Sequence, residues 1–340
     1  MRNSRIFVAG AVLCVLALAS CGEFAGAQAA DAKPTYTLEP DVHGVVLKTP
    51  DGRVVFRYMT KKPEKTNLAA NSVCCFHPVN TPSGERVTDL APGDHHHHRG
   101  VFLAWHTTEF REEADPPALG PTAPPQALNV RRGDFWGWGK YAPTEGVVIK
   151  NREVKLLEAD ADEATVLIQN AWMIGDTTMM DELASAEVRR QGDLFVIDLD
   201  YQLMPVLDLV LNQTAFGGFC VRARNDGDSY YATEDGKVEL PDPHYSDPEL
   251  NWPASGWYDY TIELRGGKTV GVAVINHPKN PASTWHNPRY VWMINPCIVA
   301  KKPVEVKAGA ALALRYRLVV HDGPTPVKLL KELTAEYRER

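Results

Sequence analysis

The segment of residues 146–202 restricts the fold most, because only short turns separate its strand-like runs. Tight turns join antiparallel neighbours, whereas parallel strands need a crossover of a dozen or more residues. Apolar and acidic residues partly alternate over residues 195–201, which is typical of a half-exposed antiparallel strand. The runs in this segment are residues 147–150, 164–172, 184–190 and 194–203. The segment therefore predicts an antiparallel sheet.

The same pattern extends over most of the chain. Further predicted strands are residues 36–38, 44–48, 54–58, 218–223, 257–264, 269–275 and 310–320. Asp51-Gly52 is a hairpin signal between two of them. Neither an internal repeat nor an alternation of strands with helices is visible. We therefore predict a mostly β protein, most simply a large antiparallel β-sandwich in residues 35–340.

The C-terminal segment is the one convincing helix in the sequence. Thr325 is predicted to be its N-cap, with Pro326 at the first helical position. An apolar face is predicted from the spacing of Val327, Leu330, Leu333 and Tyr337. The helix is expected to close the sandwich.

The first residues have the pattern of a bacterial export signal. Two arginines precede an apolar run over residues 6–19, and Leu18-Ala19-Ser20-Cys21 matches a lipobox. We predict a signal peptide in residues 1–20, a lipid anchor on Cys21 and a tether over residues 21–34. The alternative is cleavage after Ala29, which would release a soluble protein. In either case the mature chain is exported, to the periplasm or the cell surface.

Composition narrows the possible partners. The formal net charge is −7 and no basic patch occurs, so nucleic acid is not an expected partner. No segment after the leader is long and apolar enough for a transmembrane helix. The four cysteines after Cys21 have no zinc-site spacing and are expected to be buried thiols, although one disulfide is possible. Their positions are Cys74, Cys75, Cys220 and Cys297.

A histidine block is the first candidate functional feature. Five of the 11 histidines lie within residues 93–106, directly before and within an apolar run. As a strand entry, the block would place His95 and His97 on one face and His96 and His98 on the other. Asp94 could fix a histidine tautomer, and Arg99 could hold a carboxylate or hydroxyl oxygen. The alternative is a surface loop without a role.

A second cluster lies between the last strands. His277 and His286 could act as acid–base groups near neutral pH, and Trp285 could stack on a sugar ring. The alternatives are that Trp285 packs in the core and that His277 fixes its loop through the backbone. We predict that His98 and His277 open onto one cleft, with Trp105 and Trp285 as its walls.

Three further features have weaker signals. The segment of residues 131–140 contains two tryptophans among small residues and fits a loop that lines a cleft. Arg222 and Arg224 would share one strand face, where they could bind an anion or be solvated surface charges. Asp259 could be catalytic or a strand-surface residue.

Several of these stretches together resemble the DUF6807 family. They are residues 76–84, Asp94-His95-His96-His97-His98-Arg99-Gly100, Asp134-Phe135-Trp136, residues 271–278 and Asn295-Pro296. The resemblance covers about residues 35–322. It departs from the family pattern at position 96, which is often proline, and at Gln213-Thr214, where an acidic residue is expected.

The family resemblance implies a galactose-mutarotase-like β-supersandwich and a role in sugar catabolism. Members are often labelled methane-oxygenase-like. That label implies a membrane-embedded copper subunit, and the sequence lacks the transmembrane helices for one, so we do not expect that activity.

The sequence therefore predicts an exported carbohydrate-active enzyme that hydrolyses, eliminates from or epimerises a sugar or glycoside. Alternatives are a non-catalytic sugar-binding lipoprotein and a metal hydrolase that uses the histidine block. The sequence does not settle whether a metal or another cofactor is bound. The candidate catalytic residues are His97, His98 and His277. The candidate substrate-binding residues are Asp94, His95, Arg99, Trp105, Trp285, His286 and Arg289.

Overall fold

The computed structural model describes residues 33–112, 129–239 and 247–340. The predicted signal peptide, Cys21 and most of the tether lie outside these ranges. Residues 34–340 form one compact unit. Within the described part of the chain, no helix combines the length and apolar character needed to cross a bilayer.

The described residues form 22 strands, two short 3-10 helices and one α-helix. The first eleven strands are β1 (Thr37–Asp41), β2 (Gly44–Lys48), β3 (Val54–Met59), β4 (Cys75–Val79), β5 (Val101–Ala104), β6 (Thr108–Glu112), β7 (Asn129–Gly133), β8 (Val147–Ala159), β9 (Glu163–Ile174), β10 (Thr177–Gln191) and β11 (Leu194–Pro205). The others are β12 (Asp208–Leu211), β13 (Gly218–Arg222), β14 (Gly227–Thr233), β15 (Gly236–Lys237), β16 (Trp257–Leu264), β17 (Thr269–Asn276), β18 (Thr284–Trp285), β19 (Met293–Ile294), β20 (Pro296–Cys297), β21 (Val304–Val306) and β22 (Leu312–Asp322). The 3-10 helices are Pro248–Leu250 and Arg289–Val291, and α1 is Val327–Arg338.

The strands form two large sheets and two small ones. One large sheet has seven strands in the order β1-β2-β3-β4-β5-β13-β19. The other has nine, in the order β15-β14-β16-β17-β22-β11-β10-β9-β8. The small sheets are β21-β12-β6-β7 and β18-β20. Neighbours pair antiparallel, as between β10 and β11, so the predicted fold class is confirmed.

The main core lies between the two large sheets. Phe219 of β13 stacks on Tyr316 of β22 with 4.1 Å between ring centroids. Asn170 of β9 donates a hydrogen bond of 2.9 Å from Nδ2 to the hydroxyl of Tyr58 in β3. Contacts of this kind between opposite sheets define a sandwich.

Both faces of the nine-stranded sheet are covered along β11. Ile197 and Leu199 are buried, Ile197 towards the main core, whereas Val196 belongs to a second apolar cluster under α1. Asp198 shares the α1 side and is fully buried, where its carboxylate accepts hydrogen bonds of 2.5 and 2.8 Å from Arg317. The alternation over residues 195–201 therefore does not mark a half-exposed strand, because the helix covers its acidic face.

The helix α1 has the predicted apolar face but a different N-terminus. Leu330, Leu333 and Tyr337 are buried on the sheet. Pro326 is the N-cap residue and makes no side-chain capping bond, so the predicted N-cap at Thr325 is wrong. The Thr325 hydroxyl instead donates to Asp259, which is buried beside His321. Asp259 is thus neither a surface residue nor near the cavity described below, and it anchors the entry to the helix.

The strand bounds predicted from the sequence agree best with the structure where a strand is apolar. The predicted bounds of β2 and β16 are confirmed, whereas β8 extends to Ala159 instead of ending at residue 150. The extension is polar because β8 is an edge strand of the nine-stranded sheet and half of its residues meet solvent. The four cysteines of the described ranges are buried free thiols, as expected.

Candidate active site

A cavity of about 260 Å³ brings the histidine block and His286 together. It is bounded by the turn before β5, the loop after β7, the residue Phe216 before β13 and the segment between β18 and β20. The residues that line it are His95, His97, His98, Trp138, Lys140, Phe216, His286, Pro288, Val291 and Met293. Five of these ten residues are apolar or aromatic and four are histidines. A mainly apolar wall with a few polar groups is common in small-ligand sites.

The histidine block is a pair of turns and not a strand entry. The His95 amide donates to the Pro92 carbonyl and the His98 amide to the His95 carbonyl, each at 3.0 Å. The rings of His95, His97 and His98 consequently meet, with centroid distances of 4.7 to 5.5 Å. His96 is exposed. His95 and His97 thus lie together as predicted, whereas the predicted grouping of His98 with His96 is wrong, because His98 joins the other two rings.

Arg222 holds the block from behind. It is fully buried, and its Nη2 lies 2.8 Å from both carboxylate oxygens of Asp94. Its Nη1 lies 3.2 Å from Nδ1 of His98. A guanidinium only donates, so His98 accepts at Nδ1 and a neutral ring carries its proton on Nε2. The interpretation of Arg222 as a solvated charge is wrong, whereas Arg224 does pair with an exposed residue, Asp226.

Asp94 has the orienting role that the sequence predicts. Its Oδ2 lies 2.8 Å from Nδ1 of His95. Burial raises the pKa of Asp94, but the hydrogen bonds from Arg222 and His95 outweigh it, so the net pKa is lowered. The group is thus a carboxylate at neutral pH, and His95 must donate to it from Nδ1.

His286 has the tautomer opposite to that of His98. Its Nδ1 lies 2.8 Å from Oδ1 of Asn251. The Asn251 amide nitrogen donates to the Ala215 carbonyl at 2.6 Å, which assigns the amide orientation. Nδ1 of His286 therefore donates, and Nε2 keeps the lone pair. Burial of His286, which is 1% exposed, lowers its pKa to about 3.

Two histidines of the block, His97 and His98, are also held neutral. Burial lowers the pKa of His97 to about 3, with smaller contributions from nearby charges. Burial likewise places the pKa of His98 well below its ordinary value. At neutral pH the imidazoles of His97, His98 and His286 are therefore uncharged, so they can donate and accept hydrogen bonds but do not bind anions by charge.

Aromatic side chains form the rest of the wall. Phe216 lies between His286 and His106, with ring centroids 5.1 and 4.5 Å away. The loop predicted to line a cleft does so through Trp138, whereas Trp136 belongs to the core. Asp134 shapes this loop by accepting from the amides of Gly137 and Gly139 at 2.7 and 2.6 Å.

His277 does not reach the cavity. It is fully buried on the α1 side of the sheet, where its ring meets the Tyr337 ring edge-on at 5.0 Å. Its Nδ1 accepts from the Lys279 amide at 3.1 Å. The predicted convergence of His98 and His277 is therefore wrong, and the loop-fixing alternative describes His277.

Arg99 and Trp105 are structural in the same sense. Arg99 is fully buried and donates to the carbonyls of Phe135 and Trp136 at 3.1 and 3.0 Å. Trp105 packs against Trp172 with 5.9 Å between centroids. Neither lines the cavity, so their predicted contact with substrate is wrong.

Trp285 and Arg289 also lie away from the cavity. Trp285 is fully buried, packs on Tyr258 and donates from Nε1 to the Ser255 carbonyl at 3.2 Å. Arg289 is exposed and donates to the Val238 carbonyl at 3.0 Å. The alternative that Trp285 packs in the core is the one the structure supports.

Sequence reasoning missed several residues of the wall. Phe216, Pro288, Val291 and Met293 are apolar residues in loops and short strands, and such residues have no pattern that separates a cavity wall from a core. Asn251 lies 35 positions before His286 in the chain, and no motif connects them. Lys140 could have been proposed, since it ends the tryptophan loop.

A metal site needs several donor side chains close together. Among the residues that the structure describes, no group of three or more His, Cys, Asp or Glu side chains is placed to hold an ion. The metal-hydrolase alternative therefore has no ligand set in those ranges.

The backbone geometry at residue 100 explains why the histidine block ends in glycine. Its φ is +47°, and an added Cβ would lie 2.1 Å from the Phe76 carbonyl oxygen of β4. Gly100→Ala is expected to lower the free energy of unfolding by about 3 kcal/mol or more. Gly84 is the matched control, since its φ is +90° and nothing lies within 4 Å of its Cβ position.

Urea denaturation of both variants measures the difference. Gly84→Ala should cost about 1 kcal/mol, the price of a left-handed alanine alone. Equal losses at the two positions would show that the close approach to β4 does not restrict residue 100.

The chain was compared with known proteins. A model of DUF6807, described as a family of unknown function, matches residues 46–334. The chain belongs to the DUF6807 family. A comparison with curated proteins found no match.

Several solved structures resemble the DUF6807 chain at low identity. A galactose mutarotase related enzyme from Lactobacillus acidophilus matches with a TM-score of 0.32 and 8% identity, over 84% of this chain and 97% of that one. A GH36 alpha-galactosidase from Geobacillus stearothermophilus in complex with stachyose matches at 0.35 and 8%, over 85% and 40%. A copper-containing benzylamine oxidase from Hansenula polymorpha matches at 0.29 and 10%, over 86% and 62%. Scores this low say nothing about substrate or chemistry in this chain.

Proposed function

We propose that this DUF6807 protein is a carbohydrate-active enzyme in which one cavity histidine takes a proton from a sugar while a second donates a hydrogen bond to the charge that develops. The observation that supports this most is the pair of opposite tautomers in one cavity. His98 accepts from Arg222 and so donates from Nε2, whereas His286 donates to Asn251 and so accepts at Nε2. One cavity wall thus holds a positioned donor and a positioned acceptor.

The proposed roles follow from these tautomers. His286 accepts a proton from a carbon or hydroxyl of the sugar and later gives up that proton to the product or to solvent. His98 donates a hydrogen bond to the oxygen on which negative charge develops. Asp94 and Arg222 orient the donor side, and Asn251 orients the acceptor side. Trp138 and Phe216 offer apolar faces to the C–H groups of a sugar ring.

Epimerisation or elimination fits this wall better than direct hydrolysis. Most glycoside hydrolases use two carboxyl groups on opposite sides of the scissile bond. No Asp or Glu is among the described residues that line the cavity. Asp94 is the nearest carboxylate to the block by sequence, and it is already bound by Arg222 and His95.

A non-catalytic sugar-binding protein is the second candidate. One observation favours it: burial lowers the pKa of His97 and His286 to about 3, and imidazoles of such low pKa are weak bases. In this alternative the same donors and acceptors bind hydroxyl groups without transferring protons.

Turnover separates the two candidates. The purified protein would be incubated in D2O with a panel of sugars and sugar acids, and NMR would follow deuterium uptake at carbon and new products. An enzyme should exchange or convert at least one sugar, and an active-site variant should lose this activity. If calorimetry detects binding of a sugar but no exchange or conversion occurs, the result would favour the non-catalytic binding protein over the enzyme.

We further propose that the chain is exported and anchored by a lipid on Cys21. The support is the lipobox Leu18-Ala19-Ser20-Cys21 after a basic and apolar leader. Cys21→Ala is expected to move the protein from the membrane fraction to the soluble fraction, because the thioether-linked lipid is lost. Fractionation and immunoblotting measure this shift. A wild-type protein that is already soluble and begins at Ala30 would contradict the anchor.

A further inference from the structure

The cavity differs in charge from the rest of the chain. The sequence holds 43 Asp and Glu against 36 Lys and Arg, for a net charge of −7. Yet the described residues that line the cavity include a lysine and no acidic residue. In an acidic chain, a wall without carboxylates favours a ligand that carries negative charge.

Lys140 supplies the positive charge at the cavity wall. It is exposed, and no carboxylate of the described residues forms an ion pair with it. Its Nζ lies 5.0 Å from the Trp138 ring centroid and 5.2 Å from that of Tyr141. Aromatic faces hold an ammonium group without using its hydrogen-bond donors. The charge of Lys140 is therefore available to a ligand.

A second positive charge lies behind the histidine turn. Arg99 is fully buried and donates to backbone carbonyls of His97, Phe135 and Trp136. No carboxylate of the described residues pairs with it. Arg222, in contrast, is matched by the carboxylate of Asp94. Arg99 thus adds positive charge behind the cavity, which the nearby Asp134 offsets in part without forming an ion pair with it.

The size of the cavity limits the ligand. Its volume of about 260 Å³ lies below the roughly 300–1,000 Å³ typical of sites for drug-sized ligands. It suits one sugar ring and not an oligosaccharide chain.

From this charge and size we infer that the cavity takes a carboxylated sugar, either a free uronic acid or one uronate unit of a glycoside. The carboxylate would meet Lys140, the ring would lie against Trp138 and the hydroxyls would meet the imidazoles. The inference rests on the proposed function in taking the cavity as a sugar site, and it does not depend on whether the sugar is turned over.

Calorimetric binding tests the inference apart from catalysis. Full-length protein would be titrated with glucuronate and galacturonate, and with glucose and galactose as neutral counterparts. We expect each uronate to bind at least about tenfold more tightly than its neutral counterpart, the order of one charge-assisted contact. Raising the ionic strength from about 0.02 to about 0.2 M should weaken uronate binding and leave neutral sugars unchanged.

Lys140→Gln should remove most of the preference, with about a tenfold loss for uronates and a much smaller loss for neutral sugars. Lys237→Gln is the matched control, because Lys237 is also exposed and also lies over an aromatic ring, that of Tyr230 at 4.1 Å, yet does not line the cavity. It should behave as wild type.

The outcomes separate this inference from the proposed function. Equal affinities for uronates and neutral sugars, no uronate binding, or an unchanged preference in Lys140→Gln would each overturn it, even if the protein converts a neutral sugar. Uronate preference that depends on Lys140 would support it, even if no sugar is converted.

Discussion

Replacing His286 with glutamine is expected to lower kcat on the sugar substrate by about 10²- to 10⁴-fold, the usual range for loss of a general base. Glutamine is similar in length to histidine, but its amide lies at the position of Nε2 and not at that of Nδ1, which bonds Asn251 at 2.8 Å. It has no basic lone pair in place of Nε2. The variant therefore removes proton acceptance while it keeps a polar side chain of similar size in the wall.

His98→Gln tests the donor side of the same mechanism. An amide can still donate a hydrogen bond, but it does not match both the acceptor at Nδ1 for Arg222 and the donor at Nε2. We expect about a 10²-fold loss in kcat, in the range found when one oxyanion donor is removed. Affinity for the sugar, measured by calorimetry, should change much less than kcat.

His277→Gln is the control for both variants. His277 is a fully buried histidine of the same loop region, but its ring lies against Tyr337 of α1. The kcat of His277→Gln should stay within about twofold of the wild-type value, because no contact links His277 to the cavity wall. Full activity in His286→Gln, or equal losses in all three variants, would rule out the roles assigned here.

Acidification from pH 7 to about pH 4.5 is expected to destabilise the protein strongly. Burial holds the pKa of six described histidines below the ordinary value of 6.5. For four of them the lowered pKa is about 3 or about 4. The six are His77, His97, His98, His106, His277 and His286.

The direction follows from proton linkage. Below pH 6.5 the unfolded chain protonates these histidines, whereas the folded chain keeps His77, His97, His106 and His286 neutral until about pH 3–4. Their stabilisation is thus present above the unfolded pKa and is lost as the pH falls towards the folded pKa. Each histidine contributes a slope of about 1.4 kcal/mol per pH unit in that window.

Glu182 acts in the opposite direction. Burial raises its pKa to about 7, although Trp172 and Asn170 donate hydrogen bonds to it. Its contribution is present below the ordinary value of 4.5 and is lost as the pH rises to about 7. Glu182→Gln should therefore make the acid loss steeper, because a compensating gain is removed.

Urea unfolding at half-unit steps of pH, on wild type and Glu182→Gln, measures both effects.

His106 offers a separate check, since its two ring nitrogens have no partner in the described residues. His106→Phe should lower the slope of the free energy of unfolding against pH by about 1.4 kcal/mol per pH unit, the contribution of one proton. A free energy of unfolding that is constant between pH 5 and 7 would contradict the account.

The fold class and the helix face could be predicted from sequence because both depend on local periodicity. Alternation marks the strands, and the spacing of Leu330, Leu333 and Tyr337 marks the buried side of α1. Bounds were less predictable where a strand lies at an edge. The polar end of β8 pairs with β9 through the backbone, so its side chains need not be apolar.

The candidate site was predictable in part. The histidine block, the loop around Trp138 and His286 all reach the cavity, as polar residues in loops beside strands often do. His277 has the same sequence signals but continues the alternation of Ala273 and Ile275, which face α1. The local sequence does not predict which face of β17 is covered by α1.

The sequence by itself determined that this chain forms antiparallel strands, one amphipathic helix and a dense histidine block, because each depends on residues near each other in the chain. Only the tertiary structure decided which histidines share a cavity and which tautomers they hold. Those depend on Arg222 and Asn251, which lie 124 residues from His98 and 35 residues from His286 respectively. Burial of the arginines Arg99 and Arg222 was equally beyond local patterns, since a polar residue becomes a core residue only when partners from other strands satisfy it.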